Sequence, residues 1–169
     1  MNRFRLLTLL GLLLLGSANA KLKRLSPAEA EHYRALKVWM DDDDRKAFLK
    51  LKTEDERNAW LRDARLWDRF YQFSELERQQ ILAGDLRLGW PLDKVLMAFG
   101  PPHVRKRITG RDAARSEQYI YKFEVTPDEQ VLVWQPKSKA THTAIRFFRL
   151  ELMIDDGMLT VIDKRDGWE

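Results

Sequence analysis

Cysteine is absent from this chain. That excludes a disulfide framework, thiolate metal sites and lipid attachment to an N-terminal cysteine, so stability must come from packing. Histidine is scarce as well. His32, His103 and His142 stand apart, with no His-Glu-x-x-His or related metal spacing. No Gly-x-Ser-x-Gly elbow occurs; Ser26 and Ser74 read as helix caps, and Ser116 and Ser138 fall in polar connections. Charge of one sign is lacking too, with 30 Lys and Arg against 26 Asp and Glu mixed along the chain. Such a balance is that of a solvated surface and gives no reason to expect a nucleic-acid partner. Beyond Leu15 no apolar run approaches the roughly 20 residues that span a bilayer, so the mature chain is expected to have no transmembrane span.

What is present begins with a leader-like start. Arg3 and Arg5 precede the apolar run Leu6 to Leu15, and Ala18-Asn19-Ala20 supplies a small-x-small cleavage pattern. Residues 1–20 read as a secretory signal peptide, which predicts an exported protein, periplasmic or outer-membrane-associated. Cleavage leaves 149 of the 169 residues and a formal charge of +2, enough chain for one domain with a hydrophobic core.

Residues 21–84 are helical in pattern. Ser26-Pro27-Ala28-Glu29 combines an N-cap, a first-turn proline and a capping box, and Tyr33, Leu36 and Met40 follow on one face. The contiguous run Asp41 to Asp44 cannot present the alternating ligands of a calcium loop; it reads as cap and first-turn charge for a second helix carrying Ala47, Phe48 and Leu51. Thr53 and Glu56 open a third helix in which Trp60, Ala64, Trp67 and Tyr71 recur, and Ser74 and Glu77 mark a fourth ending at Gly84. Residues 53–83 fit one long helix equally well.

Residues 85–169 change period. Tyr119, Tyr121, Phe123 and Val125 alternate with polar neighbours, and Thr126 to Glu129 separates them from Val131-Leu132-Val133-Trp134, predicting a hairpin. A strand over about Ala144 to Ile154, the turn Asp155-Asp156-Gly157 and a return strand from Met158 follow, with one more strand over His103 to Ile108. The expected class is α+β: an N-terminal helical region, then a short helix packed on a three- to five-stranded antiparallel sheet, the two regions together forming one domain.

The short helix is in GWPLDKVLMAFGPP, residues 89–102. Leu92, Val95, Leu96 and Phe99 make one apolar stripe, Pro91 and Asp93 suit the first turn, and Gly100-Pro101 closes the helix. Single glycines at the two ends do not make a phosphate loop. Trp90 is expected to fold over the helix start.

These residues resemble a known motif. Gly89-Trp90, Asp93-Lys94 and Gly100-Pro101 look like the GWxTD motif and its closing turn, from a family of exported bacterial proteins, and Arg45 to Leu61 is similar to the charged helical segment that precedes it. Leu92 stands at the motif's Thr and Lys94 at its usual Arg. The spacing from Gly89 through Val95 to Gly100 also resembles the SmpA/OmlA (BamE-type) outer-membrane assembly proteins. Either resemblance implies a small α+β envelope domain with no established catalytic centre.

Two candidate interaction surfaces remain. Arg105-Lys106-Arg107, with Arg111, Arg115, Lys137 and Lys139, could meet anionic lipid headgroups or an acidic protein. Trp39, Trp60 and Trp67 are more tryptophan than three short helices need, and tryptophan favours interface hot spots. No catalytic, metal-binding or cofactor-binding residue emerges. The function expected is therefore a non-enzymatic envelope interaction or scaffolding module, with a lipid- or small-ligand-binding protein as the alternative and an unrecognised hydrolase behind it.

Overall fold

The computed structural model describes residue 22, residues 24–134 and residues 144–168. Leader residues 1–20, Lys137, Ser138, Lys139 and His142 lie outside them. The chain falls into two compact units that divide between Leu82 and Ala83.

The first unit is helical: α1 (Pro27–Leu36), a single 3-10 turn (Lys37–Trp39), α2 (Asp42–Lys50), α3 (Glu54–Asp63), α4 (Leu66–Tyr71) and α5 (Glu75–Ala83), whose last residue belongs to the second unit. Local chemistry sets the starts. Ser26 with Glu29, Asp41 with Asp44 and Thr53 with Glu56 each form a reciprocal capping box, and Ser74 and Glu77 exchange the same bonds. The aspartate run is thus a cap, as its position implied.

Two boundaries depart from the expected pattern. The first helix stops at Leu36 and tightens into the 3-10 turn before Met40, which is buried. The expected helix through Trp60, Ala64, Trp67 and Tyr71 breaks at Arg65, which sits in the left-handed region at φ 55°. In an unbroken helix Leu61 and Leu66 would point about 140° apart. The break brings both, with Phe70, into the core.

The second unit holds α6 (Leu92–Phe99) and one antiparallel sheet: β1 (Val104–Ile108), β2 (Ser116–Val125), β3 (Val131–Trp134), β4 (Arg146–Asp155) and β5 (Met158–Asp166). The fold is α+β, with helices preceding a five-stranded antiparallel sheet. β2 is central: it pairs with β4 on one side and with β1 and then β3 on the other, while β5 forms the far edge. Strand alternation puts Tyr119, Tyr121, Phe123, Phe148, Leu150, Leu152 and Ile154 on one face, all 2% exposed or less.

That face receives α6. The Phe99 ring lies 5.4 Å from Tyr121 and 5.3 Å from Phe123, and the Tyr121 hydroxyl donates to the Gly100 carbonyl at 3.0 Å. Burial pushes the Tyr121 phenol well above its ordinary range, so it stays a donor. The buried positions of α6 are Lys94, Val95, Met97 and Phe99, whereas Leu92 and Leu96 are only half-buried. The single stripe read from the spacing was too narrow, because the helix is enclosed on more than one side.

At its end Gly100 adopts φ 75°, ψ −157°, a region that only glycine enters without strain. Gly100→Ala is expected to cost about 1–3 kcal/mol, read as a lower urea midpoint for the sheet unit with an unchanged slope. β4 and β5 turn on Asp156 (φ 48°) and Gly157 (φ 83°), the positive-φ pair of a two-residue hairpin.

Candidate functional site

The segment from Gly89 to Leu92 acts as a strap. The Gly89 N–H donates to the Leu159 carbonyl at 2.7 Å, the Leu159 N–H to the Trp90 carbonyl at 2.8 Å, and the Leu92 N–H to the Gly157 carbonyl at 2.8 Å. Pro91, which has no N–H to give, bridges Met158. The segment thereby lies along the start of the β5 edge and delivers α6 onto the sheet. Trp90 is 5% exposed, with the Lys94 ammonium 5.7 Å from its ring centroid. Asp93 occupies the first turn of α6, Gly100 closes the helix, and Pro101 is exposed just beyond it.

The basic segment is largely engaged within the fold. Arg105 makes a two-pronged contact with Glu117 and lies over Tyr119, and Arg115 reaches the same carboxylate at 3.1 Å. Arg111 grips Asp155 in the same way, and Asp155 also accepts from the Ser116 and Thr160 hydroxyls. The Arg111, Ser116 and Thr160 bonds hold the Asp155 carboxyl far below the usual carboxylate range. Ser116 is not in a loop: it opens β2 and is 3% exposed. Lys106 and Arg107 lie exposed on β1.

The helix tryptophans are half-buried. The Arg69 guanidinium lies 5.1 Å from the Trp39 ring centroid, Trp60 meets Phe48 edge-on, and Trp67 stacks on Tyr71 at 4.2 Å under the Arg62 guanidinium. Trp67 also borders the buried His32, whose Nε2 is 2.6 Å from the Tyr71 hydroxyl and whose Nδ1 is buried with no hydrogen bond. Burial lowers the His32 pKa against the raising effect of Glu31, Glu54 and Glu29. Because the folded state favours neutral His32, its contribution to stability is present above pH 6.5 and is lost as pH falls below it. Urea midpoints for the helical unit should decline as pH falls below 6.5, and His32→Phe should flatten that decline. Carboxylates whose pKa is lowered, Glu29, Glu117 and Asp155 among them, contribute stability that disappears only below about pH 4.5.

A second aromatic group lies on the sheet face opposite α6, with Phe147 exposed and Trp134 and Trp168 half-buried. Alternation turns Lys122 and Phe147 to this side, and pairing sets Trp134 across from Lys122. Trp168 completes the group: its ring is 4.7 Å from Phe147 and 5.3 Å from Trp134, with the Lys122 ammonium 5.4 Å away. Its indole N–H donates to the Phe123 carbonyl at 3.0 Å, which fixes the ring in place. His103 packs edge-on against Trp134 at 4.9 Å. Phe147, Asp166, Gly167 and Trp168 line an open hollow of about 380 Å³, and Phe147 and Ile145 remain 38% and 65% exposed beside it.

Trp134 and His103 were placed on strands from the sequence, but none of these aromatics was singled out as an interaction residue. The available signal was Phe147 beside Phe148, where strand alternation sends one of two adjacent phenylalanines away from the core. Among the described residues no group of three or more His, Asp or Glu side chains could hold a metal, and no helix is long and apolar enough to cross a membrane. Comparison with protein-family models, curated proteins and solved structures finds no match to the chain.

Proposed function

We propose that the protein is an exported, non-enzymatic interaction module of the cell envelope, and that it binds its protein partner through the aromatic end of the sheet. The observation carrying this reading is the group Trp134, Phe147 and Trp168, of which Phe147 and Trp168 line an open hollow. Large rings are held in place by a backbone hydrogen bond and by one another, so little side-chain entropy is left to lose on binding. Lys122 and Asp166 supply a polar rim. The leader-like residues 1–20 and the resemblance to GWxTD and BamE-type proteins support the envelope location.

Two features weaken the alternatives. Side chains 0–3% exposed fill the face beneath α6, where an apolar or lipidic ligand would otherwise sit. Arg105, Arg111 and Arg115 are paired with Glu117 and Asp155, which reduces the charge offered to anionic headgroups.

Affinity purification from the native envelope fraction tests the proposal. Phe147→Ser should reduce recovery of the crosslinked partner by about tenfold or more, with little change in melting temperature. Undiminished recovery with Phe147→Ser, alongside loss with Trp39→Ala or Trp67→Ala, would move the surface to the helices. Substrate turnover abolished by a point mutation would overturn the non-enzymatic reading.

A further inference from the structure

The β5 edge is only partly covered. Asp155 and Met158 flank the two-residue turn, and the Gly167 N–H donates to the Phe147 carbonyl at 3.0 Å. Both fix the phase of the ladder: Val161, Asp163 and Arg165 direct their N–H and C=O groups to β4, while Ile162 and Lys164 direct theirs outward. Leu159, also outward, is taken by the Gly89–Leu92 strap, and the bulge at Thr160, opposite Met153 and Ile154, shifts the outward positions of β5 from odd-numbered to even-numbered residues. Beyond Leu159, no main-chain bond among the described residues reaches the outer side of β5.

We propose that this edge, from Ile162 to Asp166, takes an extended polypeptide segment of the partner by strand addition, with one apolar side chain of that segment entering the hollow at Phe147 and Trp168. The inference rests on the interaction reading above. Alternating main-chain donors and acceptors call for another strand, and the strap shows that the same edge already exchanges main-chain hydrogen bonds with another segment. The hollow begins where the open run ends, at Asp166 and Gly167. Val161 and Ile162, 41% and 36% exposed, give the added strand apolar neighbours on both faces.

Charge argues against a second copy of this chain as the occupant. Full antiparallel overlap of the open run 160–166 with its own copy would set Asp163 directly against the copy's Asp163. Within the chain, Asp163 pairs with Arg165, and the Lys164 ammonium lies over Phe148. These charges discourage indiscriminate sheet addition, so selection falls to the hollow.

The test is amide exchange by NMR on the purified protein. The probe is an acetylated, amidated eight-residue peptide of alternating Thr and Val with Phe at one end; its control is the same peptide N-methylated at alternate amides. The first peptide should slow exchange at Ile162 and Lys164 by about tenfold or more, and the control should not. Lys164→Pro removes an outward main-chain donor, which an edge strand tolerates, together with the side chain over Phe148, and should abolish the effect. If that variant fails to fold, the N-methylated control carries the test.

No slowing at either amide at about 1 mM peptide, where a Kd of about 0.1 mM gives about tenfold protection, overturns the proposal. So does slowing confined to β1 or β3, or protection of Ile162 in a concentration-dependent dimer without peptide. If strand addition fails while Phe147 still governs partner capture, the interaction reading stands alone; if both fail, both fall.

Discussion

Arg57→Ala will destabilise the helical unit by about 3–5 kcal/mol, the cost of leaving a buried charge without its partner. Arg57 and Glu29 are 28 residues apart, and their side chains are 6% and 3% exposed. The guanidinium binds the Glu29 carboxylate and donates to the Leu51 carbonyl at 2.8 Å, joining the start of α1 to the end of α2. Burial pushes the Glu29 carboxyl up, but the bonds from Arg57 and from the Ser26 N–H outweigh it and leave the pKa below the ordinary value. Truncation removes the cation and keeps the desolvation. Amide exchange should show α1 to α4 opening while β2 and β4 keep their protection. Arg57→Ala with Glu29→Leu should recover much of the loss, because apolar side chains can replace such a pair at little cost. A loss below about 1 kcal/mol would mean that water reaches Glu29 in solution.

Phe123→Ala will cost the sheet unit about 3–5 kcal/mol, from lost burial and the cavity left behind. Phe123 is fully buried, stacked on Phe148 at 4.7 Å and met edge-on by Phe99. One truncation therefore empties the contact between β2, β4 and α6. Phe147, one residue from Phe148 but on the opposite face, provides the control: 38% exposed, it should cost under about 1 kcal/mol as Ala. Urea unfolding of both variants, compared at equal slope, measures the difference.

The sequence was most informative where the physics is local. Capping boxes act over three residues, so Ser26 with Glu29 and Thr53 with Glu56 placed helix starts correctly. The alternation in Tyr119 to Val125 and the turn at Asp156-Gly157 gave the hairpins and the buried face. Arg65 carries no such mark. Its left-handed turn is imposed by the need to bury both Leu61 and Leu66, a tertiary demand no neighbouring residue announces. The aromatic end was hidden for a related reason: Trp134, Phe147 and Trp168 are far apart in the chain, and only sheet register and the Trp168 to Phe123 bond bring them together. The basic segment stood out by composition alone. Its anchoring carboxylates Glu117 and Asp155 become partners only once β1, β2 and β4 pair.

Site-specific photocrosslinking in the native envelope tests the central claim most directly. A photoreactive residue would replace Phe147, Arg107 or Trp67 in turn, sampling the aromatic end, the basic strand and the helical unit. Capture of one discrete protein from position 147, absent from positions 107 and 67, is the predicted result. Capture from position 67 or 107 with none from 147 would contradict it.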